Sequence, residues 1–437
     1  MMSAAQSQTT LVAKLQALQC HFTWDLEFIR TKLLRLNDKL VDIGTEGGKS
    51  WLGHIYNLQG FIQYKVGSNE DAQSFFNKAA EAFSQMRNAD DGPWLVVNYG
   101  NLAWLHHHHL GDQAESEAYL SKVDALMKKY PPPSQDELHA ETYAEKAWTL
   151  MKFSTDKELV TDYFQRAIRM QPDMVEWNTS QVIGLARVKH SDTGLPADFL
   201  EKMRVAKELD PENLYLAAYY LQQRGAKGED VKDEARELAK KVLRNPVSSY
   251  SGIKPILRVY RNLASIDEAI ALAEEALKQH PDERYLKRCA TLCYNWKIIL
   301  FSDSHPKQST IDRAVSLFED VISLYPHSSL VKKIDLANIH TKSNHGMAKA
   351  EQIYQDLLRK DLEPADKQVL YNHYAKYLYF NRRDANKSIQ YHMKVAAIPQ
   401  QSYYRDNSIN VLEEIKNRSR NRTCRDVEEF LKNLQEP

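Results

Sequence analysis

The sequence predicts an all-α fold that is built from repeated pairs of helices. Gly and Pro number only 15 each among 437 residues, and alternating runs of β-branched residues are rare. Four stretches also end in the same way, with a helical apolar pattern that is followed by a proline. These stretches are YFQRAIRMQPD (163–173), FLEKMRVAKELDPEN (199–213), LAEEALKQHPDE (272–283) and LFEDVISLYPHS (317–328).

The four stretches share the spacing that closes a tetratricopeptide repeat. In each, an apolar residue is followed three positions later by Ala or Val, and five positions after that by Pro. A repeat of about 34 residues cannot bury its own apolar face, so neighbouring repeats must stack into a solenoid. We therefore predict a tetratricopeptide-repeat superhelix, an α-solenoid, whose functional side chains come from several repeats.

Repeat units can be placed along most of the chain by the small or apolar residue near the middle of each second helix. The spacing between successive markers equals the repeat period or exceeds it by a loop, as at 129–137 and 301–310, which are polar and rich in helix-breaking residues. The markers are Ala79, Val123, Ala167, Ala206, Val242, Ala276, Val321, Leu357 and Val395.

The charge balance restricts the class of partner. The chain has 58 basic and 58 acidic residues, which argues against a broad non-specific surface for nucleic acid or membrane but allows a local basic cavity. No stretch approaches the 18 or so apolar residues of a membrane span, and the first residues lack the pattern of a secretory signal. We expect a soluble, cytoplasmic protein with no membrane and no DNA among its partners.

The cysteines and histidines do not predict a metal site. Cys289 and Cys293 are four residues apart and could form half of a zinc site, but no second pair completes it, so we expect buried small apolar residues. The run 106–109 is four histidines inside a helical pattern. Two of them could bind a metal, although packed and solvated imidazoles are the favoured interpretation.

No catalytic motif is present. The chain has no GxxxxGK[ST], GxSxG or HExxH sequence, and no nucleophile has a recognisable base nearby. We therefore predict a binding protein without a cofactor and not an enzyme.

A family resemblance is carried by the pentapeptide CHFTW (20–24) ahead of the irregular repeats. Together with four further matching segments, it makes the chain resemble the interferon-induced proteins with tetratricopeptide repeats. These segments occur in the same order as in the family: GNLAWLHHHHLGD (100–112), EKAWTLMKF (145–153), LDPENLYL (209–216) and VYRNLASIDEAIALAEEAL (259–277).

The resemblance implies a cytoplasmic antiviral effector. The best-studied branch of that family captures the 5′ end of foreign single-stranded RNA in a positively charged cavity and blocks its translation. It also implies a central basic cavity, a triphosphate or an incompletely methylated cap as the ligand, and family paralogues or the translation initiation machinery as further partners. On this basis we expect five parts: an N-terminal helical segment and cap (1–50), N-terminal repeats (51–130), central repeats that line the cavity (131–280), C-terminal repeats (281–400) and capping helices (401–437).

A 5′-triphosphate requires converging Lys and Arg donors, and bases and ribose require interleaved aromatic residues. Trp148 and Lys152 are four residues apart and should share one helix face. The resemblance makes Lys152 a phosphate ligand and Trp148 a stacking surface. Lys254 and Arg258 repeat this spacing, where family members have two cations in the reverse order. The alternative for Trp148 is a packing role in the core, with Lys152 as a solvated charge.

Four further residues match family positions in the cavity. Arg187 matches a cavity arginine, and Tyr215 matches a tyrosine that contacts the first nucleotides, although Tyr215 could simply pack at a helix start. Arg288 stands where relatives have the His of a His-Gln pair, and Lys39 falls where they have a cavity Arg. The predicted RNA-binding set is Lys39, Trp148, Lys152, Arg187, Tyr215, Lys254, Arg258 and Arg288.

Two classes of function remain open from the sequence. The first is capture of an RNA 5′ end. The second is a protein–protein interaction scaffold of innate immune signalling, which the balanced net charge and two departures from the family, Arg288-Cys289 and the divergent segment near residues 25–50, favour. A metal-dependent enzyme that uses the histidine run is a third and much weaker reading.

Overall fold

The structure is a computed structural model that describes residues 11–26, 29–45, 49–134, 136–153, 157–188, 197–245, 247–301, 306–418 and 422–435. All regular structure in these ranges is helical, which confirms the all-α prediction. In the first part of the chain the helices are α1 (Arg30–Val41), α2 (Leu52–Val66), α3 (Asn69–Arg87), α4 (Val96–Leu105), α5 (Gln113–Lys129), α6 (Ala140–Phe153), α7 (Lys157–Met170), α8 (Val175–Val188), α9 (Ala197–Leu209), α10 (Leu214–Ala226), α11 (Lys232–Leu243), α12 (Ile253–Leu263) and α13 (Ile266–Gln279). The remainder are α14 (Arg284–Asn295), α15 (Gln308–Leu324), α16 (Leu330–His340), α17 (Met347–Leu358), α18 (Pro364–Phe380), α19 (Ala385–Ala397), α20 (Tyr403–Arg418) and α21 (Arg422–Gln435).

The helices form consecutive pairs, and the nine repeat markers show the pairing. Each marker lies on a different odd-numbered helix, from Ala79 on α3 to Val395 on α19. All nine side chains are at most 7% exposed. The sequence therefore located the second helix of every one of these nine pairs, because the small residue is needed where two helices pack closely.

The pair α2 and α3 shows how this close packing arises. Gly53 and Gly60 on α2 lie against aromatic rings of α3, and a Cβ atom at Gly60 would be 2.6 Å from the Phe76 ring. The turn between the helices is made by Gly67, whose φ of +92° is in the left-handed region. Glycine thus permits both the turn and the contact of the helix backbone with the rings.

The chain divides into two compact units, 1–272 and 273–437. In the first unit, one core cluster includes Trp51, Phe61 and Trp148, all at most 5% exposed. In the second unit, the core around Tyr354 and Tyr374 is rich in tyrosine. The division into five parts that the sequence suggested stays a prediction.

The structure agrees with the expected packing of the cysteines and histidines. Cys289 and Cys293 are 2% and 0% exposed. The histidine run forms a π-helical turn, His106–Leu110, in which His106 is buried and the His108 ring lies 4.3 Å from the Trp104 ring. Among the residues that the structure describes, no group of three or more His, Cys, Asp or Glu side chains could hold a metal ion, and no helix is long and apolar enough to cross a membrane.

Candidate functional site

Helix α6 carries the central pair of the predicted site. The Lys152 Nζ atom lies 4.3 Å from the centroid of the Trp148 ring, so the two side chains share one face, as their spacing predicts. This distance is typical of a cation–π interaction. Eleven of the fourteen residues of α6 are buried, so α6 is an inner helix. Lys152 itself is only half-buried.

Tyr250 completes this site and was not predicted from the sequence. The Lys152 amine donates a hydrogen bond of 2.6 Å to the Tyr250 hydroxyl and lies 5.3 Å from the centroid of that ring. The Tyr215 ring is 5.8 Å from the Tyr250 ring and stacks in parallel on Tyr219. The site therefore combines one cation with three aromatic side chains from α6, α10 and the segment before α12.

Tyr250 lies in a turn whose position is fixed by a hydrogen bond to the end of α1 and by a glycine. The Ser249 N–H group donates to the Asp42 carbonyl oxygen at 2.7 Å. Gly252 has a φ of +88°, and a Cβ atom there would be 2.7 Å from the Leu214 carbonyl oxygen, so only glycine fits. The sequence does contain a signal for this turn, since the Ser- and Tyr-rich SSYSG (248–252) separates two helical patterns. What it lacks is any indication that Tyr250 meets Lys152.

Trp148 is a core residue in this structure. It is 0% exposed and stacks on Trp51, with ring centroids 5.6 Å apart and an angle of 13° between the planes. Its Nε1–H group has no hydrogen-bond partner among the described residues. The packing role that the sequence left open is thus present, and a stacking role toward a ligand stays a prediction.

The other predicted residues are placed less completely. Lys254 and Arg258 lie one turn apart on α12, and both are half-buried. Lys39 is exposed in the last turn of α1. Arg187 belongs to α8, but its side chain lies outside the described part of the molecule. Arg288 lies in the second unit, where its guanidinium carbon is 5.2 Å from the Tyr325 ring. The roles of these five residues stay predictions.

A buried chain of hydrogen bonds connects α6, one turn before Thr149, to α2 and α4. Asn57 on α2 donates to Glu145 Oε1 at 2.9 Å, and Asn98 on α4 donates to Asn57 Oδ1 at 2.8 Å. All three side chains are at most 1% exposed. Burial raises the pKa of Glu145 to about 8, while the Asn57 hydrogen bond opposes this rise and repulsion from Glu141 adds to it.

His21 of the CHFTW segment joins the same helix from another direction. Its backbone N–H donates to Asn101 Oδ1 at 3.1 Å, which turns the Asn101 amino group toward His21 Nδ1, also at 3.1 Å. Nδ1 is therefore the acceptor, and the Nε2–H group donates to Thr149 Oγ1 at 3.2 Å. Burial lowers the pKa of His21 to about 3, which agrees with a neutral ring. The pentapeptide thus connects α4 to α6.

The chain is similar to several curated proteins, although no protein-family model matches it. Human protein IFIT1 homolog B is 27% identical over 430 residues, which cover 94% of this chain and 89% of that protein. The human antiviral innate immune response effector IFIT1 is 27% identical over 434 residues, covering 95% and 89%. Mouse interferon-induced protein with tetratricopeptide repeats 2 is 26% identical over 402 residues, covering 89% and 83%.

Solved structures show the same fold. A human IFIT1 dimer with m7Gppp-AAAA matches with a TM-score of 0.70 and 24% identity over 98% of this chain and all of the other. A human IFIT1 dimer with PPP-AAAA matches with a TM-score of 0.69, over 97% and 96%. The tetratricopeptide superhelix that the sequence predicted is therefore confirmed. The sequence comparisons agree with the resemblance that CHFTW carries: over most of its length the chain has homologues among the interferon-induced proteins with tetratricopeptide repeats.

Proposed function

We propose that the chain binds the 5′ end of single-stranded RNA, with a triphosphate or an incompletely methylated cap, and acts as an interferon-induced antiviral effector. The observation that carries the proposal is the placement of the Lys152 amine 4.3 Å from the centroid of the Trp148 ring and within hydrogen-bond distance of the Tyr250 hydroxyl, next to Tyr215. The relatives support it, because human IFIT1 has been solved with both m7Gppp-AAAA and PPP-AAAA.

The chemistry of this site suits a phosphorylated RNA end. A lysine amine forms charge-assisted hydrogen bonds with phosphate oxygens, which are about twice as strong as neutral ones. A phosphate can take the place of the Tyr250 hydroxyl as the acceptor for Lys152. Tyr215 and Tyr250 are only half-buried beside Lys152, and aromatic faces stack bases regardless of sequence. We propose that further contacts come from Lys39, Arg187, Lys254, Arg258 and Arg288, and that the central cavity of the superhelix is basic.

Binding of matched RNAs tests the proposal. Three RNAs of one sequence, with a 5′-triphosphate, a 5′-hydroxyl or a cap, are compared on the wild-type chain and on Lys152→Glu. We expect the triphosphate or the capped RNA to bind more tightly than the 5′-hydroxyl RNA. Lys152→Glu should weaken that binding by at least about tenfold, since it replaces an attraction by a repulsion.

The matched control is Lys128→Glu, which makes the same charge change at an exposed position on α5. It should bind like the wild-type chain, and helical content should be the same in both variants. Equal weak binding to all three RNAs would refute the proposal.

The proposed consequence of capture is a block of translation in the cytoplasm. An RNA 5′ end held by the protein is not accessible to initiation factors, so translation of a triphosphate or capped reporter should fall in a cell-free extract. The Lys152→Glu protein, which should not capture the RNA end, should leave translation of the reporter unchanged. The activity is binding alone and requires no cofactor.

A protein–protein scaffold is the second candidate, and the balance of 58 basic and 58 acidic residues favours it. Partners that remain bound after ribonuclease treatment, without RNA in the purified protein, would support the scaffold over RNA capture. Family paralogues and the translation initiation machinery are the first partners to test.

A further inference from the structure

Glu145 is a buried carboxyl group on the helix that carries Lys152. It is 1% exposed, and its Oε1 atom accepts the hydrogen bond from Asn57. Glu145 lies one turn before Thr149, which receives the His21 hydrogen bond. Side chains from α2 and from the CHFTW segment therefore meet on the face of α6 that begins at Glu145, and Asn98 and Asn101 of α4 bond to them from behind.

The charged and titratable groups that the structure describes around Glu145 do not include a cation paired with it. His54 on α2 is nearest, with its Nε2 atom 3.9 Å from Glu145 Oε2, and burial holds the pKa of His54 well below its usual value, so the ring is neutral. Arg87 at the end of α3 bonds instead to Glu141, at 2.7 Å. The Cys20 thiol is buried and stays neutral, because burial raises its pKa to about 11. Among the described residues, no cation forms a hydrogen bond or an ion pair with Glu145.

His54 also connects Glu145 to the aromatic pair of the site. The His54 ring is 4.7 Å from the Trp51 ring and 6.4 Å from the Trp148 ring. Trp51 in turn covers Trp148. His54 therefore lies next to both Glu145 and the stacked pair Trp51 and Trp148.

We propose that Glu145 is a positioning residue of the candidate site: in its neutral, protonated form it holds α6 against α2 and α4, and its ionisation disturbs Trp148 and Lys152. This inference rests on the proposed function. A buried carboxylate with a single amide donor is costly, since burial without a paired cation penalises the charged form. The raised pKa of about 8 has the same cause, so the carboxyl group is mostly protonated near neutral pH.

Two substitutions separate the charge of Glu145 from its hydrogen bond. Glu145→Gln is neutral at every pH and keeps an oxygen that accepts from Asn57. Glu145→Ala removes the acceptor and leaves the Asn57 amino group without it. The control is Glu81→Gln, which makes the same chemical change at an exposed position on α3.

The measurements are the affinity for 5′-triphosphate RNA and the near-ultraviolet circular dichroism of the unliganded protein, each between pH of about 7 and about 9. For the wild-type chain and Glu81→Gln, we expect affinity to fall several-fold and the aromatic signal to change as the pH rises. Glu145→Gln should bind like the wild-type chain near pH 7 and lose both changes. Glu145→Ala should bind more weakly at every pH with unchanged helical content.

The outcomes distinguish this inference from the proposed function. If no variant binds RNA but the pH-dependent aromatic signal disappears only in the Glu145 variants, the RNA function fails and the positioning of Trp148 by Glu145 stands. If RNA binds and Glu145→Gln has the same pH dependence as the wild-type chain, the inference is overturned. Glu145→Ala that binds like the wild-type chain would also overturn it.

Discussion

At the scale of single residues, the site shows which contacts a local pattern can predict. Lys152 and Trp148 are four positions apart on α6, so their contact follows from helix geometry. Tyr250 accepts the hydrogen bond from Lys152 across a separation of 98 residues, and no local pattern carries that information. The same applies to His21 and Thr149, which are 128 residues apart.

His21 should make stability depend on pH on the acid side. Its folded-state pKa of about 3 is below the ordinary value of 6.5. Between these two pH values the unfolded chain binds a proton at this imidazole and the folded chain does not. The stabilisation is complete above pH 6.5 and is lost as the pH falls toward 3. The unfolding free energy should fall by up to about 1.4 kcal/mol per pH unit from this residue.

Chemical denaturation of His21→Ala across this range checks the expectation. The variant should be less stable near neutral pH, by about 1–3 kcal/mol for each buried partner that is left unpaired, and its stability should depend less steeply on pH. The control is His109→Ala, which removes an exposed imidazole from the histidine run and should keep the wild-type slope of stability against pH. An unchanged slope in His21→Ala would contradict the assignment of a neutral, buried ring.

At the scale of elements, close helix contacts depend on glycines with different neighbours. Gly60 on α2 faces the Phe76 ring, which is fully buried. Gly184 on α8 faces the sulfur of Met151, also at 2.6 Å from an added Cβ atom. The distances are equal, but an aromatic ring in a packed core cannot move aside, whereas the end of a methionine side chain can.

We therefore expect opposite results from the same substitution. Gly60→Ala should lower the unfolding free energy by about 1–3 kcal/mol, because overpacking moves the Phe76 ring. Gly184→Ala should be neutral or stabilising by up to about 1 kcal/mol, because alanine favours the helix and Met151 adjusts. Thermal denaturation of both variants measures the difference. Equal destabilisation would show that the flexibility of the neighbour does not decide the cost.

At the scale of the whole molecule, a destabilising substitution in a repeat array should lower the stability only of the neighbouring helices. Each repeat contacts mainly the repeats beside it, so stability is close to a sum of local terms. The last helix, α21, buries Val427 and Leu431 against Ala396 and Leu412 of the preceding helices. This small cluster closes the apolar face of the final described repeat.

Leu431→Ala tests this locality. Removing a buried leucine side chain costs about 2–5 kcal/mol, and the loss should appear as faster amide hydrogen exchange in α19, α20 and α21. Helices α2 to α7 should exchange at the wild-type rate. Asn433→Ala, at an exposed position of α21, is the control and should leave all rates unchanged. Faster exchange throughout the chain would show that the molecule unfolds as one cooperative body.

The sequence by itself determined the helical fold, the position of nine second helices and the pair Trp148 and Lys152. These follow from periodicity, from small residues at helix contacts and from prolines at helix ends, all of which are local properties. Only the tertiary structure decided that Tyr250 meets Lys152, that the CHFTW histidine connects two helices and that no cation in the described part of the chain pairs with Glu145. These depend on burial and on donors from distant parts of the chain, because the pKa of a buried group is set by whatever the fold places around it.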